Sequence, residues 1–295
     1  MGNSIGLASK FVPILDQIYK AESKTARLDA AVRPVNFAGA NVVEVFKTSL
    51  VGLGNYDRGT GYKAGDVTGT WEALTLSKDR GRAFSVDKMD DEETLGQAFG
   101  TLASEFIRTQ VAPELDAYRF ATYAGWSGIQ TTTAADLSTA SAVLAAIDVA
   151  AGKLDEKEVP NEGRILFIST GIYRLLMGAV SRTLSNEGKF DRTLQMLDDM
   201  TIVPVPQARF YTAITLDSGS SSSGGGYAKG SSAKNINFML LHPSAVLQVT
   251  KLAQPRIFSP EENQTANAWL FQYRIYHDAF VYDNKVDGIY LHKAA

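Results

Sequence analysis

Apolar residues recur along this chain at two spacings, and the switches between them mark its elements. Phe11, Ile14, Leu15, Ile18 and Tyr19 share one helical face, which predicts a short amphipathic helix over 11–23 behind a small, polar segment at 1–10. Residues 32–49 read as extended, with Val35, Phe37, Val42, Val43, Val45 and Phe46. The stretch 52–66 carries five glycines, which no packed helix tolerates, so it is an exposed turn or long loop. Strand-like residues follow from Val67 to Leu76, then a polar turn at 77–81 and a second strand from Arg82 to Asp87. Residues 50–86 therefore read as a long twisted β-hairpin, or two hairpins in series. A bare two-stranded ribbon is marginal in water, so a projecting one must lie on another chain.

Residues 87–126 form the clearest helical region. Asp90, Asp91, Glu92 and Glu93 crowd its first turn, where the helix dipole favours negative charge, and Asp90 and Glu93 have capping-box spacing. Leu95, Phe99, Leu102 and Phe106 make its apolar stripe, and Pro113 is expected to kink or interrupt it. Further on come an alanine-rich helix over 137–154, a short strand at 164–168 and a helix over 169–179 capped by Ser169 or Thr170. The prolines of 201–206 suit an edge strand. Residues 217–235 are low in complexity and read as a flexible surface loop, dispensable for folding. Residues 236–241 read as a buried strand, 243–249 as helix, and 268–282 and 286–292 as strands. The alternation in the middle marks an α/β unit, set among an arm, a ribbon, a long helix and a terminal sheet.

Composition narrows the functions open to such a layout. The 295 residues are 45% apolar and 21% charged, ordinary for a globular chain with a sizeable core. There is no cysteine, which excludes disulfides, thiolate metal sites and cysteine nucleophiles. A net charge of −3 excludes a globally basic, phosphate-neutralising surface. No apolar run approaches the roughly 18 residues of a membrane helix, and the N-terminal residues lack the pattern of a secretory signal.

Catalytic patterns fail one by one. Gly2-Asn3-Ser4-Ile5-Gly6 matches a nucleophile elbow, but no strand precedes its serine. The glycines at 52–65 contain neither a dinucleotide fingerprint nor a phosphate loop. His242, His277 and His292 lack metal-ligand spacing, and the acidic run at 87–93 lacks the calcium-loop pattern. No catalytic residue, metal or cofactor is implied. Lys78, Arg80 and Arg82 form a small basic patch, open to two readings: a solvated turn, or salt bridges to a neighbouring subunit.

The segments FVPILDQIYKAES (11–23), GLGNYDRGTGYKAGDVTGTWE (52–72), SKDRGRAFSVDKMDDEET (77–94), FIRTQVAPELDAYRF (106–120) and the run from Arg256 to Lys293 resemble major capsid proteins of tailed bacteriophages infecting Gram-positive bacteria. The resemblance implies an α+β, Hong Kong 97-type capsid fold. Its parts would be an N-terminal arm (1–36), an extended β-hairpin loop (37–86), a peripheral domain with a long spine helix (87–135, completed by 250–295) and an axial α/β domain (136–249). It also implies self-assembly into pentamers and hexamers of an icosahedral shell around double-stranded DNA. Partners would be a separate scaffolding protein, a portal and decoration proteins, with the virion as location and no membrane. The arm begins close to Met1, so any scaffolding segment is expected to be separate or cleaved. Tyr56, Asp57, Arg58, Lys63, Trp71, Arg80 and Arg82 are the residues expected at intersubunit contacts, with Trp71 anchored on the chain's own core. Some relatives join a loop lysine to a neighbour's asparagine; Lys63 and Asn284 would be the pair here, but no motif brings them together. An encapsulin-like nanocompartment shares the fold and is the alternative. An enzyme built on the insert would need clustered acid–base residues, and the long helix argues against a tail-tube subunit.

Overall fold

The computed structural model describes residues 22–29, 36–37, 41–93, 97–179, 183–184, 190–191, 194–220 and 224–295. The helix expected over 11–23 falls almost wholly outside them, as does most of the arm at 1–36 and the Leu95 end of the helical stripe. In chain order, a ribbon of β1 (Val42–Leu50) and β2 (Val67–Thr75) leads to β3 (Lys78–Asp87). A long helix follows as α1 (Gln97–Phe106), a π-turn (Ile107–Val111) and α2 (Ala112–Gly125). The middle of the chain supplies α3 (Ala140–Glu156), β4 (Ile165–Ser169), α4 (Thr170–Ala179), β5 (Met200–Val205) and β6 (Ile236–Leu241). The end supplies β7 (Val246–Phe258), β8 (Ala268–Val281) and β9 (Ile289–Lys293).

Among the described residues the largest sheet has six strands, in the order Gln130–Thr131, β9, β6, β4, β5, Met196–Leu197. Its central strands β4 and β6 are buried at every position, because both faces of the sheet are covered. Leu166 and Ile168 of β4 meet Val143, Ile147 and Leu154 of α3 and Leu176 of α4. Ile165 and Phe167 point the other way, onto Phe120 and Tyr123 of α2. Thr139 caps α3, its hydroxyl accepting from the Ala142 amide at 3.3 Å.

A second sheet runs β7–β8–β3, antiparallel throughout. The long helix lies on it, with Ala103, Ile107, Val111 and Leu115 against Phe271, Tyr273 and Ile275 of β8. Pro113 is accommodated by the π-turn just before it. In an unbroken α-helix its ring would strike the carbonyl four residues back. Here the Ala112 amide bonds to the Ile107 carbonyl, and that wider turn lets the helix continue.

Several expectations need correction. Residues 50–86 are not a run of hairpins: β2 pairs with β1, whereas β3 leaves the ribbon and pairs with β8 over ten positions. The cause lies at the junction. Leu76 is buried, and the amide and hydroxyl of Ser77 donate to the buried Asp278 carboxylate at 2.8 and 3.0 Å, so 77–78 is a fixed corner rather than a free turn. From that corner onward β3 runs with the β7–β8 sheet. β9, though it follows β8 in the chain, pairs with β6 in the six-stranded sheet. Residues 243–249 are not helical; a 3-10 turn at Pro243–Ala245 opens directly into β7. Alternation explains this: Val246 packs with α2, while Leu247 and Val249 pack with Phe280 on the opposite face. Finally, 217–235 is not simply a flexible loop. Ile214–Leu216 and Tyr227–Lys229 pair antiparallel, and Ala233 is buried.

Candidate assembly surface

The ribbon of β1 and β2 runs from a buried root to a bare tip. At the root, Val43, Leu74 and Leu76 pack with Leu247, Val249 and Phe280. Lys47 donates to Asp283 at 2.7 Å and lies 2.6 Å from the Glu72 carboxylate, tying the ribbon to the turn before β9. The bond to Asp283, then that to Glu72, raises the lysine pKa, and the same contact lowers that of Asp283. The opposite face of the ribbon is bare. Phe46 faces Trp71 across the strands with ring centroids 5.0 Å apart, yet Trp71 is 60% exposed. Its expected anchorage on the chain's own core does not occur, because Phe46 and Trp71 alternate to the face of the ribbon opposite Val43, Val45 and Leu74, which meet the core. Gly69 makes room for the pair: a Cβ there would come within 2.5 Å of the Phe46 ring.

At the tip the Asp57 carbonyl accepts from the Gly61 amide at 2.7 Å, and the Asp57 carboxylate accepts from the Gly59 amide at 2.6 Å. Gly61 has a φ of +78°, which favours glycine. Tyr56 and Tyr62 meet edge to face, 5.0 Å apart, with Tyr62 91% exposed. Of the eleven exposed large apolar residues among the described ones, eight lie between Phe46 and Trp71.

The structure brings Tyr56, Asp57, Arg58 and Lys63 together at this tip and sets Trp71 at mid-ribbon. Arg80 and Arg82 lie elsewhere. Both sit on β3 and are engaged within the chain, Arg80 with Glu114 of α2 at 2.7 Å and Arg82 with the Gly224 carbonyl at 3.1 Å. Neither is a solvated turn residue, because β3 belongs to the sheet and not to the ribbon. Asn284 lies in the 3-10 turn Asp283–Gly288, beside the middle of the ribbon rather than its tip.

Sequence reading missed a buried polar node on α2. The Asp116 carboxylate accepts from Ser23 and Thr25 hydroxyls at 2.7 Å each, the Lys24 and Thr25 amides at 2.9 and 3.1 Å, and Arg209 at 3.2 Å. This node fastens 22–29 to the long helix. The three histidines share no site. His242 bonds to Ser244, His292 to Asn237, and His277 rests against Tyr118. Burial raises the Tyr118 pKa, and its bond to Asp278 raises it further. Among the described residues no three His, Asp or Glu side chains converge as metal ligands, and no helix is long and apolar enough to cross a membrane.

No protein-family model matches the sequence, and no curated protein matches it. Solved structures do match. The capsid of the cyanophage P-SCSP1u is 13% identical, with a TM-score of 0.62 over 90% of this chain and 86% of that one. The mature capsid of bacteriophage PhiM1 is 14% identical, with a TM-score of 0.62 over 88% and 83%. This chain has the Hong Kong 97-type capsid fold. A virus-like particle from Pyrococcus furiosus is 10% identical and shares it, with a TM-score of 0.55 over 94% and 95%.

Proposed function

We propose that this chain is the major capsid protein of a tailed bacteriophage, assembling into the icosahedral shell that encloses double-stranded DNA in the virion. One observation carries the reading: the ribbon exposes a run of large apolar side chains that none of the described residues of its own chain covers. Isolated exposed apolar residues are ordinary, but a contiguous patch marks a surface that another molecule buries. Neighbouring copies are the natural cover, since a repeated head-to-tail contact closes into rings of five and six. Burying Phe46 and Trp71 would contribute on the order of 3 kcal/mol per contact, and many such contacts act together.

On this reading Tyr56, Asp57, Arg58 and Lys63 meet the next subunit, and Trp71 seats the ribbon on it. The six-stranded unit is the axial domain, and the long helix with the β7–β8–β3 sheet is the peripheral one. A scaffolding protein, a portal and decoration proteins are the expected partners, and the shell holds its DNA without sequence-specific contacts.

The test is assembly of purified protein, with and without its scaffold, followed by sedimentation and electron microscopy. Wild type is expected to give rings or particles. Phe46→Ser with Trp71→Ser is expected to give a monomer of unchanged circular dichroism and no particles. A wild type that stays monomeric throughout, or normal particles from the double variant, would sink the proposal. Native particles are expected to hold nuclease-resistant DNA and carry tails; shells filled with enzyme would point to a nanocompartment instead.

A further inference from the structure

The glycine–serine hairpin between Ile214–Leu216 and Tyr227–Lys229 has almost no apolar side chain to hold it down, yet two arginines of β3 seize its backbone. Arg80 donates from Nη1 to the Asp217 carbonyl at 2.6 Å and from Nη2 to the Gly226 carbonyl at 3.2 Å. The same guanidinium forks onto Glu114 of α2 at 2.7 and 3.2 Å. Arg82 reaches the Gly219 and Gly224 carbonyls at 3.4 and 3.1 Å. The hairpin mouth is closed by its own bonds, the Asp217 amide to the Gly226 carbonyl and the Gly219 amide to the Asp217 carboxylate, both 2.9 Å.

The glycines are what allow the arginines so near. Gly219 and Gly225 have φ of +72° and +78°, and a Cβ on Gly219 would lie 2.9 Å from Arg82 Nη1. The composition that reads as low complexity is therefore fitted to a guanidinium. The hairpin issues from the chain between β5 and β6, hence from the six-stranded unit, whereas Arg80 and Glu114 belong to the long helix and its sheet. Beneath it lies a groove of about 640 Å³ lined by Phe84, Leu102 and Phe106.

We propose that Arg80, with Arg82 and Glu114, latches this hairpin onto the long helix and so fixes the angle between the two units. That neighbouring copies must find this angle to close a uniform shell rests on the capsid reading above. The latch itself does not. A planar five-donor fork suits the task, because one side chain makes four bonds at once, to both oxygens of a carboxylate and to two carbonyls, whereas an ammonium has three donors.

Hydrogen exchange of the Asp217 and Gly219 amides in the unassembled chain reads the latch directly. Arg80→Gln is expected to speed their exchange about tenfold or more, with Arg80→Lys intermediate, and to raise binding of an apolar dye at the uncovered groove. Its particles are expected to be mixed in diameter by electron microscopy. Unchanged exchange in Arg80→Gln would overturn the latch, and faster exchange with particles of wild-type size would overturn its role in setting the angle. Should Arg80→Gln fail to fold, Gly219→Ala dislodges Arg82 while keeping the Arg80–Glu114 fork; wild-type exchange in that variant would also overturn the latch. The ribbon variant Phe46→Ser with Trp71→Ser is expected to lose assembly with exchange at 217 and 219 unchanged. Faster exchange there would deny that latch and ribbon act separately.

Discussion

Asp116 sits on the apolar side of α2 between Leu115 and Ala117, where an unpaired carboxylate would cost several kcal/mol. Its five donors remove that cost and bind 22–29 to the helix. Asp116→Ala strands those donors and the Arg209 charge, so a loss of about 3 kcal/mol is expected in denaturant titration of the unassembled chain. The Lys24–Thr25 region should also become open to protease; an unchanged midpoint would show the node to be incidental. Half of this was legible. A charged Asp116 and Arg119 interrupting an apolar stripe is a readable anomaly, but the partners lie 91 to 94 residues away and no local pattern names them. His277 is 2% exposed, and burial, helped by Arg119, holds its pKa down to about 4. An unfolded imidazole takes its proton near pH 6.5, so the unfolded chain binds more protons between those values. The stability this group contributes is whole above pH 6.5 and is lost as pH falls toward 4, by about 3 kcal/mol in full. His277→Phe keeps the ring against Tyr118 and is expected to flatten melting temperature against pH over that window. Parallel curves for the two proteins would remove His277 as the cause.

Elements were legible where one period dominates and lost where two units share a strand. The alanine-rich helix, the Ile165–Ser169 strand and the buried Ile236–Leu241 strand follow directly from their apolar spacing. β7 does not, because Leu247 and Val249 serve one core and Val246 another, and a short apolar run beside a proline reads equally as helix. The destination of β3 is likewise unreadable, since its partner lies some two hundred residues on. Close approach between elements adds constraints that sequence does not display. The turn ending at Gly288 is pressed against the turn ending at Ala245, and a Cβ on Gly288 would come within 2.9 Å of the Ala245 Cβ. Neither methyl can swing away, so Gly288→Ala is expected to cost about 1–3 kcal/mol, read as a lowered melting temperature. A variant as stable as wild type would mean the two turns part freely.

At the scale of the whole molecule, the ribbon and the strand that fixes its root are made at very different times. The bond from Tyr276 to the Leu76 carbonyl spans 200 residues, as nearly does every pairing of β3 with β8. Such topology slows folding, because distant segments must meet before either is rewarded. At a synthesis rate of about 5–20 residues per second, the apolar ribbon leaves the ribosome some 10–40 seconds before β8 does. During that interval the chain already carries its stickiest surface but lacks the sheet that would aim it. Ribosome-bound chains stalled before residue 268 are therefore expected to recruit chaperones through the 42–75 segment, and Phe46→Ser with Trp71→Ser should weaken that recruitment in a pull-down. Equal recruitment by both would place the hazard elsewhere. Completion of the C-terminus thus acts as a clock. Under the proposed capsid function, a subunit would become competent to join others only once its β8 and β9 strands are in place, so unfinished chains would be kept out of a growing lattice by their order of synthesis alone.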